Sequence, residues 1–213
     1  LATNRDTLVY STDMGVDTIR RYASMFGLNR PSGIEISETT PELTTEDPER
    51  SAMGQGTNSY SNVQLSRYVA AIANSGTVFD LSLLDKMTDS EGNLIQDFTP
   101  EATGHVDIAD STWDAVHQGM RAVITDGSVN KIFKDLEVEI AGKTGTAERA
   151  DENGGYLKEN YMSSFMGFAP AQSPKVLCYI TLDGTPSGSD AAAVPFQSIM
   201  ANALDVLGIP HTK

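Results

Sequence analysis

Between Ile140 and Glu148 the chain reads Ile-Ala-Gly-Lys-Thr-Gly-Thr-Ala-Glu. Gly142-Lys143-Thr144 matches the last three positions of a phosphate-binding loop. That loop needs another glycine five residues before Gly142, and the position holds Glu137, whose charge would repel phosphate. The phosphate reading fails. On a strand the same residues support a different chemistry. Lys143 offers a positive charge to a carboxylate. Thr144 and Thr146 stand two apart, so their hydroxyls face one side and can both meet a bound acyl donor. Gly145 points the other way, and its missing side chain allows close packing. The backbone N–H of Thr146 can donate to an oxyanion as a tetrahedral intermediate forms. The expectation is a strand edge where a cation and two hydroxyls point into a groove that grips an anionic terminus.

Such a strand needs a scaffold. Val138 to Glu148, Tyr161 to Phe168 and Val176 to Leu182 read as three strands, joined by turn-rich segments at Asp151–Gly155 and Pro170–Pro174. Short links between consecutive strands predict an antiparallel meander. Helices are predicted on either side of it in sequence. The first runs from about Gly15 to Phe26, with Val16, Ile19, Tyr22 and Ala23 at helical spacing and Gly27 as a stop. A polar excursion follows from Asn29 to Asn58. Ser61 and Gln64 form a capping box for a second helix, whose stripe of Leu65, Val69, Ile72 and Ala73 ends at Gly76. Strand-like pieces lie around Thr77 to Leu84, with a turn at Ser90 to Asn93. Ser111 and Asp114 are read as the capping pair of a third helix that carries Trp113, Val116, Met120, Val123 and Ile124 on one face and ends at Asp126-Gly127. The last helix, about Ala191 to Leu207, carries Phe196, Ile199, Met200, Ala203 and Leu204 inward. The fold class is therefore α+β, an antiparallel sheet flanked by helices.

Bulk composition narrows the function. The 213 residues carry a net charge of −14, which opposes binding to nucleic acid. The single Cys178, in the apolar run Val176 to Ile180, reads as a small core residue. His105, His117 and His211 are scattered and show no metal-ligand spacing. No window is apolar for the roughly 20 residues that a membrane span requires.

Wider sequence context gives Lys143-Thr144-Gly145-Thr146 its meaning. Met53-Gly54-Gln55-Gly56 precedes the capped helix, and Ser164-Phe165-Met166-Gly167-Phe168-Ala169-Pro170 follows the Lys-Thr-Gly strand. With Met14-Gly15-Val16-Asp17-Thr18-Ile19 and Phe26-Gly27-Leu28, this order resembles class B penicillin-binding proteins over nearly the whole chain. The resemblance implies a transpeptidase fold related to the serine β-lactamases, incomplete at its N-terminus, with residues 1–213 forming the C-terminal portion of one domain. It implies peptidoglycan D,D-transpeptidation. A serine in a Ser-x-x-Lys element attacks a D-alanyl-D-alanine terminus, and the acyl-enzyme is resolved by a neighbouring amine. Lys143, Thr144, Gly145 and Thr146 would then be the third catalytic element, flanking the cleft and binding the substrate carboxylate.

The family register places the middle Ser-x-Asn element on Ala2-Thr3-Asn4, where Asn4 fits as a substrate-binding residue and alanine replaces serine. The nucleophile is expected upstream of Leu1, so this chain by itself is predicted neither to be acylated by a penicillin nor to cross-link. Ser128-Val129-Asn130-Lys131 matches Ser-x-x-Lys in letters only, and Ser128 is expected in a surface connector. Stem peptides, β-lactams and cell-wall synthesis machinery are the implied partners. The implied location is the outer face of the bacterial cytoplasmic membrane, held by a tether outside these residues. No metal or organic cofactor is implied. A penicillin-sensing or degenerate domain of the same fold is the alternative. A carboxypeptidase or β-lactamase fits the Gly-Gln-Gly segment poorly, and an interaction module built on the acidic run Glu42 to Glu49 is a further, weaker alternative.

Overall fold

The computed structural model describes residues 4–151, 155–186 and 190–212. They form two compact units, Asn4–Asp107 and the chain from Ile108 onward.

The first unit opens with α1 (Asn4–Met25), which is interrupted at Gly15, where φ 66° and ψ 168° leave helical space. The expected helix from Gly15 to Phe26 is thus the second limb of a longer kinked element. The polar excursion contains the short α2 (Pro48–Ala52) and one antiparallel bridge, Glu42 to Ser59. It is otherwise irregular, as composition predicted, but it is firmly anchored. Thr44 is buried and its hydroxyl hydrogen-bonds the Glu46 carbonyl at 3.0 Å. The acidic run is therefore draped over an internal polar anchor.

The main anchor comes from α3 (Asn62–Ala73). Its capping box is present as expected, with Gln64 N–H donating to Ser61 Oγ at 3.2 Å and Ser61 N–H to Gln64 Oε1 at 2.9 Å. Gln64 Nε2 also donates to the Thr39 carbonyl at 2.8 Å. Arg67, 1% exposed, donates to the carbonyls of Pro31 at 2.6 Å and Arg30 at 2.8 Å, and to that of Gly27. Asp80 serves two cations, lying 2.6 Å from Arg30 and 3.5 Å from Arg67. The apolar stripe foresaw Val69, Ile72 and Ala73 as core but gave no place to a buried guanidinium.

Past α3, β1 (Thr77–Phe79) pairs antiparallel with β4 (Ala102–His105), and β2 (Lys86–Thr88) with β3 (Leu94–Asp97). The turn expected at Ser90 to Asn93 closes the second hairpin, where Asp89 Oδ1 accepts the N–H groups of Glu91 and Asn93. Strand β1 is shorter than the Thr77 to Leu84 reading. Strands β2, β3 and β4 have no buried residue, so no alternation marked them.

In the second unit, β5 (Ala141–Ala150), β6 (Tyr156–Ala169) and β7 (Val176–Thr185) form the predicted antiparallel meander in the order β5-β6-β7. Helices α4 (Asp110–Thr125), α5 (Asn130–Phe133) and α6 (Ala193–Val206) complete it. The rings of Phe133 on α5, Phe165 on β6 and Phe196 on α6 meet with centroids 4.5–5.9 Å apart, and Val123, Ile140, Met200 and Leu204 close the core around them. Cys178 packs half-buried against this core, and burial pushes its thiol above the ordinary pKa.

Two expectations need correction here, the capped start of α4 and the inward placement of Ile199. Helix α4 starts one residue earlier than Ser111, after Ala109, and has no side-chain cap; Asp110 places a negative charge in the first turn instead. Val116 is 36% and Ile199 50% exposed, because each lies at the margin of its helix's apolar stripe. Among the described residues no helix is long and apolar enough to cross a membrane, and no group of three metal-ligating side chains occurs.

Candidate functional site

Among the described residues strand β5 pairs with β6 alone, so its other long edge has no strand partner within this sheet. The register runs unbroken through the candidate residues: Lys143 faces Met166, Thr144 faces Phe165, Gly145 faces Ser164 and Thr146 faces Ser163. Side chains directly opposite each other share a face. Thr144 and Thr146 therefore lie on the face that carries Phe165, and their hydroxyls share one side as the spacing predicted. Lys143 and Gly145 lie on the other face, with Met166 and Ser164. The cation and the two hydroxyls thus straddle the strand. They meet only along its edge, where alternate residues turn their N–H and C=O outward. Thr144 and Thr146, two apart, aim their backbone polar groups in the same direction.

Why the strand lies here follows from its glycines. A Cβ on Gly142 would stand 2.8 Å from the Phe165 ring and 2.9 Å from the Met166 carbonyl oxygen, so any side chain would lift β5 off β6. Arg121 on α4 secures the strand's entry. It donates to the Ile140 carbonyl at 3.0 Å and pairs with Glu139 at 2.9 Å. Beyond the site, Arg149 Nε lies 3.0 Å from Asp183 Oδ1, bracing the strand from the far side of the sheet.

Lys143 is exposed, and its ammonium donates to the Thr144 carbonyl at 2.6 Å. Partial desolvation by the strand surface holds its pKa below the ordinary lysine value. Thr144 is half-buried and Thr146 exposed. Such an arrangement can capture a carboxylate with the cation on one face of the strand and present two hydroxyls on the other.

The other candidates lie elsewhere. Asn4 heads α1 in the other unit, and its side chain is outside the described set, as are Ala2 and Thr3. Ser128 is exposed at the approach to α5 and donates to Asp190 Oδ1 at 3.2 Å, in keeping with a surface position. His117 stacks edge-on against Phe168, with centroids 5.7 Å apart. His211 pairs with Glu137 at 2.7 Å on the surface. Sequence reasoning gave Ser164 no role, although its hydroxyl sits against Gly145. Only the pairing register exposes that contact.

A three-stranded antiparallel meander with helices against it, and a Lys-Thr-Gly-Thr run on its outer strand, defines a protein of the penicillin-recognising transpeptidase fold. The family model of the penicillin-binding protein transpeptidase domain matches residues 5–201, and the chain belongs to that family. Stage V sporulation protein D of Bacillus subtilis is 27% identical over 212 residues, which cover 94% of this chain and 32% of that protein. The probable peptidoglycan D,D-transpeptidase PenA of Neisseria gonorrhoeae is 30% identical over 157 residues, 72% of this chain and 25% of that one. The chain thus spans a third or less of the length of these relatives. Among solved structures, the D,D-transpeptidase domain of a peptidoglycan glycosyltransferase from Eggerthella lenta superposes with a TM-score of 0.81 at 22% identity, over 99% of this chain and 52% of that one. Penicillin-binding protein 2B of Streptococcus pneumoniae gives 0.77 at 24%, over 92% and 34%.

Proposed function

We propose that these residues supply the Lys-Thr-Gly side of the active site of a peptidoglycan D,D-transpeptidase, acting at the outer face of the bacterial cytoplasmic membrane. One observation carries the reading: Lys143, Thr144, Gly145 and Thr146 lie on β5, the outer strand of the sheet, in an unbroken register with β6. Lys143 pairs with the terminal carboxylate of a stem peptide, or with the equivalent carboxylate of a β-lactam. For this the ammonium leaves the Thr144 carbonyl, exchanging a neutral acceptor for a charged one, which makes the stronger hydrogen bond. The hydroxyls of Thr144 and Thr146 orient the acyl donor from the other face of the strand. The N–H of Thr146 stabilises the oxyanion when a serine contributed by the rest of the whole protein attacks. That serine oxygen bonds to the carbonyl carbon, the terminal D-alanine departs, and an acceptor amine then displaces the serine.

The test is labelling of the full-length protein by a fluorescent penicillin. Lys143→Ala is expected to slow labelling by at least about tenfold, the scale of a lost charge-assisted hydrogen bond. Its melting temperature should stay near that of the parent, because the side chain is exposed. Labelling at the parent rate would remove Lys143 from the site.

A further inference from the structure

A hydroxyl fills the space that Gly145 leaves open. A Cβ built on Gly145 would lie 2.3 Å from Ser164 Oγ but 3.7 Å from Ser164 Cβ, so it is the hydroxyl, and not the carbon beneath it, that takes the place of the missing side chain. Ser164 is half-buried, and no hydrogen bond holds its hydroxyl among the described residues. It stands on the same face of the sheet as Lys143, one register step from Met166, the residue opposite Lys143. A diagonal pair of this kind has its Cβ atoms somewhat under roughly 7 to 8 Å apart, within reach of a long side chain. Met166 itself offers the ammonium no oxygen.

From this geometry we propose that Ser164 is a positioning residue, whose hydroxyl gives the Lys143 ammonium a seat on the sheet face when it leaves the Thr144 carbonyl to hold a substrate carboxylate. The lysine then has two anchorages. At rest it lies along the strand edge on the Thr144 oxygen. With a carboxylate present, one ammonium proton goes to the anion and another to Ser164 Oγ, which fixes the direction of the charge. A glycine at 145 is required because a larger residue would push that hydroxyl away. The inference rests on the carboxylate-binding role proposed above for Lys143.

The experiment measures fluorescent penicillin labelling of the full-length protein, with the free acid and with its methyl ester, which lacks the anion. Ser164→Ala is expected to weaken capture of the free acid by about tenfold, the size of one hydrogen bond to a charged group. It should leave the slower labelling by the ester, and the melting temperature, unchanged. Gly145→Ala should impair the free acid similarly. Adding Ser164→Ala to it should cost nothing further, since the new methyl at 145 then meets only the remaining β-carbon at 164, at the ordinary contact distance of 3.7 Å. Equal labelling of the free acid by parent and Ser164→Ala overturns the proposal, as does a loss that is the same for acid and ester. Lys143→Ala run alongside separates the two readings. If that variant labels like the parent, the carboxylate site itself is wrongly placed; if it fails while Ser164→Ala behaves as the parent, only the second anchorage falls.

Discussion

Lys143 is an exposed lysine whose ammonium rests on the Thr144 carbonyl. Partial desolvation of the ammonium favours its neutral form, so the folded protein holds this proton less tightly than the unfolded chain does. Two pH effects follow with opposite sign. Capture of a carboxylate needs the ammonium, so labelling by a penicillin free acid is expected to decline at a pH below the ordinary lysine value of about 10.4. In the window just below that value the unfolded chain binds more protons, and the residue's contribution to stability rises with pH. A labelling profile that stays flat to the ordinary lysine value would contradict the first effect. The candidate residues stand out in the sequence because their chemistry is contiguous: cation, hydroxyl, glycine, hydroxyl. Their facing was only half legible. Period-two alternation puts Thr144 and Thr146 together, and by the same rule it puts Lys143 on the opposite face, which the expectation of one shared groove overlooked. Ser164 was out of reach of such reading, since its contact with Gly145 depends on pairing register and on nothing local.

Long elements with an apolar face were readable, and short or exposed ones were not. The meander β5-β6-β7 alternates or runs apolar, and α3 carries both a stripe and a cap; all were found, although β6 begins at Tyr156 and not Tyr161, and β5 at Ala141 and not Val138. The hairpin of β2 and β3 is exposed along its whole length, so the burial pattern that reveals a strand was missing. The start of α4 was misplaced because a serine followed three residues later by an acid imitates a cap, whereas the chain enters that helix through Ala109. The cap on α3 is real, which allows a measurement at this scale. Ser61→Ala is expected to cost about 1 kcal/mol, read as a shift in denaturant midpoint without a change in slope. Because Gln64 also reaches the Thr39 carbonyl, Gln64→Ala should cost more than Ser61→Ala. The reverse order would mean that the cap, and not the tie to the polar excursion, dominates.

Across the molecule, two kinds of organisation divide the chain. The second unit coheres through three phenylalanine rings, an arrangement that apolar patterning foreshadowed. In the first, the Arg67 guanidinium, with Gln64 and the Thr44 anchor, ties down a stretch of backbone rich in polar residues. Arg67 reaches carbonyls 36 to 40 positions earlier, and nothing in the local sequence of α3 announces the link. That dependence marks where the first unit yields first: without the guanidinium, the carbonyls of Arg30 and Pro31 lose the donors that hold them to α3. Replacing Arg67 with methionine keeps the stem and removes the donors. Limited trypsin or thermolysin digestion should then clip the segment between Asn29 and Asn58 while the α5-β6-α6 core stays resistant, giving one early nick in place of general degradation.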